Sequence, residues 1–157
     1  MIISLQNPPN NLDIPIKTNP GSMAFMVWTD ALSVNIKEID DQHKKLVGMV
    51  NQLHTAMLKG EGRTVIGPIL AELTAYTVYH FKTEEGYMEK FAYPNLQTHR
   101  LEHQRFVQKV GDFKSSYDAG SIALSNEVMH FLADWLKDHI LVTDKKFGPF
   151  FNSKGLH

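Results

Sequence analysis

Residues 69–85 read ILAELTAYTVYHFKTEE. Apolar side chains recur here every three or four positions, at Ile69, Leu73 and Tyr76, which is the spacing of one face of an α-helix. His80 and Glu84 then take the next two positions of the same face, where core side chains are expected. The stretch therefore predicts a helix that directs a histidine and a carboxylate into the protein core.

Four segments with helical periodicity cover most of the chain. We predict helices at 37–59, 65–91, 96–117 and 123–146, separated by Gly60 and Gly62, by Pro94, by Gly120 and by Gly148-Pro149. Helices of about 20 residues joined by short loops favour antiparallel neighbours. The predicted fold is therefore all-α, an up-down-up-down antiparallel four-helix bundle with an N-terminal extended arm. Residues Val128, Leu132, Trp135 and Val142 are predicted to face inward on the fourth helix.

The predicted domain organisation has three parts. Residues 1–22, rich in Asn, Pro and Gly, read as a flexible N-terminal extension, 23–150 as the bundle with its arm, and 151–157 as a C-terminal tail. Met23 is an alternative start for the ordered protein. Residues 1–22 lack the charged start and the apolar middle of a signal peptide.

Composition excludes several classes of protein. The chain of 157 residues carries 16 basic and 17 acidic side chains in no basic block, so neither nucleic acid nor an anionic membrane is an expected partner. No cysteine is present, which excludes disulfides and thiolate chemistry. No apolar run approaches the roughly 20 residues that span a bilayer. We expect a cytoplasmic protein.

Five of the eight histidines fall on the predicted core faces, namely His43, His80, His99, His103 and His139. A single histidine at such a position is usually an ordinary core residue with its hydrogen bonds satisfied. Five of them in one bundle would each cost roughly 1–3 kcal/mol if left unpaired. A metal that takes their lone pairs removes this cost, so the placement predicts a metal centre.

The spacing of the polar core residues supports this prediction. His80/Glu84 and His99/His103 are four residues apart and share a helix face, whereas His139/Asp144 are five apart, which requires a long reach or a local distortion of the helix. Two buried carboxylates are best compensated as bridges between two ions. Imidazole and carboxylate ligands without sulfur suit iron, zinc or manganese.

These residues resemble a known family. The string Ile39-Asp40-Asp41-Gln42-His43-Lys44-Lys45-Leu46, followed by His80-x-x-x-Glu84, His99-x-x-x-His103 and His139-x-x-x-x-Asp144, is similar to the hemerythrin pattern over about residues 23–147. The single-domain bacterial members are the most similar. Ferritin-like di-iron proteins differ, because they use mainly carboxylates with Glu-x-x-His motifs.

The resemblance implies two non-haem iron ions bridged by Glu84, Asp144 and an oxo or hydroxo group. One iron would take His99, His103 and His139, and the other would take His43 and His80 and keep an open position for O2. The apolar residues around the ligands match the family's O2 pocket and are Leu46, Phe81, Leu136 and Ile140. An apolar pocket slows oxidation of the centre by water and favours reversible binding.

Three functions are compatible with such a centre. The first is an O2 carrier, store or delivery protein, which is a binding protein and not an enzyme. The second is a di-iron enzyme or scavenger acting on peroxide or nitric oxide, and the third is an O2-sensing or iron-sensing module.

The expected partners are O2 and, as a candidate recipient, an O2-consuming enzyme, and we expect a monomer. His54 and His130 are not predicted as ligands, and Trp135 is interpreted as a packing residue.

Overall fold

The computed structural model describes residues 24–120 and 125–157. Within these ranges the helices are α1 (Lys37–Leu58), α2 (Arg63–Lys90), α3 (Leu96–Asp118), α4 (Asn126–Asp138) and α5 (Lys145–Ser153). A 3-10 turn precedes α1 at Asp30–Leu32, and a π-helical segment, His139–Asp144, joins α4 to α5. The predicted bounds of the first three helices hold to within two residues. The predicted extension 1–22, Met23 and the predicted start of the fourth helix at 123 lie outside the described residues.

Contacts between the helices confirm the antiparallel bundle. On α1 and α2, Glu38 accepts a hydrogen bond from Tyr87, whereas Lys45 lies over the ring of Tyr76, so residue numbers rise on one helix as they fall on the other. The same inverse order relates α2 to α3, where the pairs are Arg100 with Glu85 and Arg63 with the Tyr117 carbonyl. It relates α3 to the last helical region through Glu102 with His139 and Phe113 with Phe131.

The fourth helical region differs from the prediction at its C-terminal end. The chain does not stop at Gly148-Pro149, because α5 continues through Pro149 to Ser153. Phe147 and Phe151 are both fully buried on either side of the proline, and their burial outweighs the roughly 3 kcal/mol that a proline costs in a helix. The prediction that Val142 faces inward is also wrong: it is 60% exposed, because the π-helical segment holds one extra residue in its turn.

The arm before α1 packs along the bundle, as predicted for residues 24–36. Asn51 of α1 holds the backbone of Met26 by two hydrogen bonds, from the Met26 N–H to Oδ1 at 2.8 Å and from Nδ2 to the Met26 carbonyl at 2.7 Å. Met26 is buried, and the ring of Phe25 stacks on His54. Val34 and Ile36 are buried next to the start of α1.

Two apolar clusters divide the core, and the polar residues lie between them along the helices. Leu46, Phe81 and Ile140 belong to the larger cluster. The smaller cluster comprises Val34, Ile36, Ile39, Met88, Tyr93, Phe147 and Phe151. On α1, His43 lies between Ile39 of the smaller cluster and Leu46 of the larger one, and on α2, Glu84 lies between Phe81 of the larger cluster and Met88 of the smaller one. None of the helices in 24–120 and 125–157 is long and apolar enough to cross a membrane.

Candidate metal centre

Each predicted ligand lies on the inner face of its helix. His43 comes from α1, His80 and Glu84 from α2, His99 and His103 from α3, and His139 and Asp144 from the two ends of the π-helical segment. All seven side chains are buried. The structure thus brings together every residue predicted for the site, and their role as ligands stays a prediction.

The seven residues divide into two overlapping groups. Within each group, every residue offers one nitrogen or oxygen atom, and these atoms all lie within 4.8 Å of one another. One group contains His99, His103 and His139, which we call the three-histidine half. The other contains His43 and His80, which we call the two-histidine half. Glu84 and Asp144 belong to both groups. The arrangement can therefore hold two cations that share two carboxylates.

Each carboxylate directs one oxygen to each half. Asp144 Oδ1 lies 3.0 Å from His139 Nε2 and 3.1 Å from His99 Nε2, whereas Oδ2 lies 3.1 Å from His43 Nε2. Glu84 Oε1 lies 3.0 Å from His80 Nε2, and Oε2 lies 3.2 Å from His103 Nε2. All five histidines present Nε2 to the carboxylates. This is the geometry that bridging carboxylates need.

The buried polar atoms fit a metal better than they fit one another. Glu84 Oε2, His99 Nε2 and both oxygens of Asp144 are buried and have no hydrogen-bond partner among the described residues, although nitrogens approach them closely. The Nε2 atoms of His103 and His139 lie only 3.1 Å apart. Each unsatisfied buried group costs about 1–3 kcal/mol, and ligation of a cation would satisfy all of them together.

The electrostatics of the cluster favour ionised carboxylates. Burial raises the pKa of Glu84 and of Asp144, but the surrounding histidines outweigh it and hold both pKa values well below their usual range. Burial lowers the pKa of His43 and of His99, but both carboxylates outweigh it and raise each pKa to about 9. Burial dominates at His80 and lowers its pKa. A donor set with two carboxylate charges attracts a cation, which competes with protons for the histidines.

Three of the histidines are held at their outer nitrogen, Nδ1, by residues that sequence reasoning missed. Gln42 Oε1 lies 2.8 Å from His80 Nδ1, Glu85 Oε1 lies 2.9 Å from His103 Nδ1, and Glu102 Oε2 lies 2.9 Å from His139 Nδ1. Such partners orient a ligating imidazole and set its tautomer.

These three partners share one position in the sequence. Gln42, Glu85 and Glu102 each stand beside a predicted ligand of their own helix and bond a histidine of the next helix. Consecutive residues point about 100° apart around a helix, so a neighbour of an inward ligand can reach an adjacent helix. In the sequence, these three residues could have been noticed because each is next to a predicted ligand. That position does not tell which histidine each of them contacts.

Apolar side chains surround the centre on the side of the larger cluster. The four residues predicted for the O2 pocket, Leu46, Phe81, Leu136 and Ile140, are all buried in that cluster. The ring of Phe81 stacks on His103 with 3.7 Å between ring centroids. The arrangement keeps water from that side of the cluster.

The two histidines that were not predicted as ligands and that the structure places, His54 and His130, pack away from the seven, whereas Trp135 contacts one of them. His130 is exposed, and both His54 and His130 pack against Phe25 of the arm. Trp135 stacks on Phe106 and on the ring of His139, with 3.9 and 4.4 Å between centroids. It packs as predicted and also supports one histidine of the cluster.

Known proteins resemble the chain in sequence and in structure. Residues 34–151 match the family described as "Hemerythrin HHE cation binding domain". A bacteriohemerythrin of Methylococcus capsulatus is 39% identical over 81% of this chain and 97% of its own. Myohemerythrin-1 of Phascolopsis gouldii is 32% identical over 77% of this chain and 90% of its own. A crystal structure of wild-type hemerythrin has a TM-score of 0.77 at 38% identity, with 80% of this chain and 97% of that chain covered.

Proposed function

The chain belongs to the hemerythrin family, and from this premise we propose that it binds O2 reversibly at a non-haem di-iron centre. Its role would be that of an oxygen carrier, store or delivery protein and not of an enzyme. The observation that carries the proposal is the unequal division of the donor atoms between two halves that share both carboxylates.

In this proposal the three-histidine half and one oxygen of each carboxylate would hold one iron. The two-histidine half and the other oxygens would hold the second iron with one nitrogen ligand fewer, which would leave a position open. Glu84, Asp144 and an oxo or hydroxo group would bridge the pair. The oxygen positions of the two carboxylates support this assignment, since each points one atom into each half. When bound, the iron pair supplies the redox chemistry and the coordination position for O2.

The chain's own residues favour reversible binding in two ways. The pocket side chains Leu46, Phe81, Leu136 and Ile140 exclude water, which slows irreversible oxidation of the centre. Gln42 and Glu102 hold the rings of His80 and His139 in one orientation, so that the ligand geometry is formed before the metal arrives.

Cycling of O2 tests the proposal. The iron-loaded, reduced protein is exposed to O2, which is then removed under argon, while the visible absorption is recorded over several cycles. A band that appears with O2 and disappears without it supports reversible binding. Irreversible bleaching, or sustained consumption of added peroxide or nitric oxide, would instead indicate the enzyme or scavenger.

Two histidine variants link this readout to the site. We expect His80→Ala to lose one iron or the O2-dependent band, because it removes one of two imidazoles from the two-histidine half. The control is His130→Ala, in which an exposed histidine is removed, and it should retain both. Loss of iron from the control would contradict the proposed ligand set.

A further inference from the structure

The three histidines that are held at Nδ1 do not have equivalent partners. On the two-histidine half, His80 is paired with Gln42, which is a neutral amide. His43 Nδ1 is buried and has no partner among residues 24–120 and 125–157. On the three-histidine half, His103 is paired with Glu85 and His139 with Glu102, and both partners are carboxylates. The two halves therefore differ in charge as well as in the number of histidines.

This difference has a chemical consequence for the metal-facing nitrogens. A carboxylate that accepts the Nδ1–H of an imidazole increases the electron density on Nε2 and makes it a stronger donor to a metal. A neutral amide does so less, because its oxygen carries only a partial charge. His103 and His139 are thus better donors than His80, apart from any difference in their number.

Glu85 and Glu102 do not increase the donor strength of their histidines equally. Glu85 also accepts a hydrogen bond from Arg100 at 3.0 Å, and the guanidinium offsets its charge. Glu102 also accepts one from the hydroxyl of Thr143 at 2.9 Å, which is neutral. The Glu102 side chain is 37% exposed against 20% for Glu85, but a guanidinium in direct contact offsets a charge more strongly than partial exposure to water does. Glu102 therefore keeps more of its negative charge than Glu85 and is the stronger hydrogen-bond acceptor for its histidine.

We propose that Glu102, and to a smaller extent Glu85, act as positioning residues that make the three-histidine half bind its metal ion more tightly than the two-histidine half. They also make that half the one that better stabilises the higher charge of a redox-active ion. The inference rests on the proposed function for the presence of two ions, but it concerns their inequality and not the binding of O2.

The charge of Glu102 can be removed while its shape and its acceptor oxygen are kept. Metal-free Glu102→Gln is titrated with Co²⁺ in the absence of O2, and binding is followed by visible absorption. The expected result is a weakening of the first of two binding events by about 10–100-fold with the second unchanged. In the iron-loaded protein, the midpoint potential should rise by about 59 mV for each tenfold loss of preference for the higher charge. A purely structural role would not shift the potential.

Two further variants make the result specific. Glu85→Gln should weaken the same first event, but less than Glu102→Gln does. Asp138→Asn removes an exposed carboxylate one residue before His139 and should change neither binding constant. Circular dichroism of each metal-free variant reports whether the bundle is intact, and if Glu102→Gln did not fold, Glu85→Gln on α2 would decide the question alone.

The inference is overturned if Glu102→Gln behaves like Asp138→Asn, or if it weakens only the second event. Failure of O2 cycling with normal Co²⁺ constants would refute the proposed function and leave this inference standing. A stoichiometry below two Co²⁺ ions in the unmodified protein would refute both, and would do so before any variant is made.

Discussion

Two segments of the bundle each present a histidine and a carboxylate to the same centre, but they do so with different backbones. His80 and Glu84 are four residues apart within the regular helix α2. His139 and Asp144 are five apart and span the π-helical segment. A regular turn of 3.6 residues returns after four positions to nearly the same face, whereas a spacing of five needs a wider turn. One task is thus met by local geometry in one segment and by a distortion in the other.

In the distorted segment, one side chain of a neighbouring helix links two residues of the wide turn. Glu102 of α3 accepts hydrogen bonds from Thr143 and pairs with Nδ1 of His139, so it ties together two residues of the π-helical segment. Just after that segment, Lys145 donates a hydrogen bond to the Ser33 carbonyl at 2.6 Å. On α2 the backbone alone gives the two predicted ligands a common face, and Gln42 of α1 orients only the ring of His80. In the π-helical segment Glu102 also links two residues of the wide turn to α3.

The largest effect is expected where the two segments should be equal. Glu84→Gln and Asp144→Asn each remove the charge of one carboxylate that we propose as a bridge, at a fully buried position. Loss of one partner from a buried charge pair costs about 3–5 kcal/mol, so each variant should bind metal at least about 100-fold more weakly. Metal content by elemental analysis and Co²⁺ titration measure this. If one variant retained two ions at normal affinity, its carboxylate would not be a bridge.

A glycine substitution should separate the segments by the sign of its effect. A Cβ on Gly148, just past the π-helical segment, would lie 2.7 Å from the Val34 carbonyl oxygen, so Gly148→Ala should lower the free energy of unfolding by about 1–3 kcal/mol. Gly86, two residues after Glu84 on α2, has open space around it. Gly86→Ala should raise the free energy of unfolding by about 0.5–1 kcal/mol. Urea denaturation of the metal-free proteins measures both, and equal effects of the same sign would contradict the comparison.

The smallest effect is expected from a single hydroxyl. Thr143→Val removes one hydrogen bond to Glu102, which is worth about 0.5–1.5 kcal/mol, so metal should bind about 2–10-fold more weakly. Thr77→Val is the matched change on α2, where the buried hydroxyl donates a hydrogen bond to the Leu73 carbonyl of its own helix and to no other group of residues 24–120 and 125–157. Thr77→Val should change only the free energy of unfolding of the metal-free protein and leave the metal affinity as it is. If Thr77→Val lost more metal affinity than Thr143→Val, the π-helical segment would not depend on the hydrogen bond between Thr143 and Glu102.

The periodicity of the apolar residues, together with glycine and proline at the helix ends, was sufficient to predict the regular helices. The bounds of α1, α2 and α3 were predicted to within two residues, because each of these helices has a continuous apolar face and ends near glycine or proline. The same rules failed at Gly148-Pro149, where burial of Phe147 and Phe151 keeps the chain helical. The spacing of His139 and Asp144 predicted either a long reach or a local distortion of the helix, and the π-helical segment is the second of these. Its consequence for Val142 was not predicted.

Along the regular helices the sequence by itself determined which side chains enter the core, because the spacing of residues around a helix is a local property of the backbone, whereas it misplaced Val142 of the π-helical segment. It thereby singled out the seven predicted ligands and their apolar surroundings. Only the tertiary structure decided that Gln42, Glu85 and Glu102 reach histidines of the next helix, and that the two halves of the centre differ in charge. Those contacts depend on the distance and rotation between helices, which packing of the whole bundle sets and no single segment encodes.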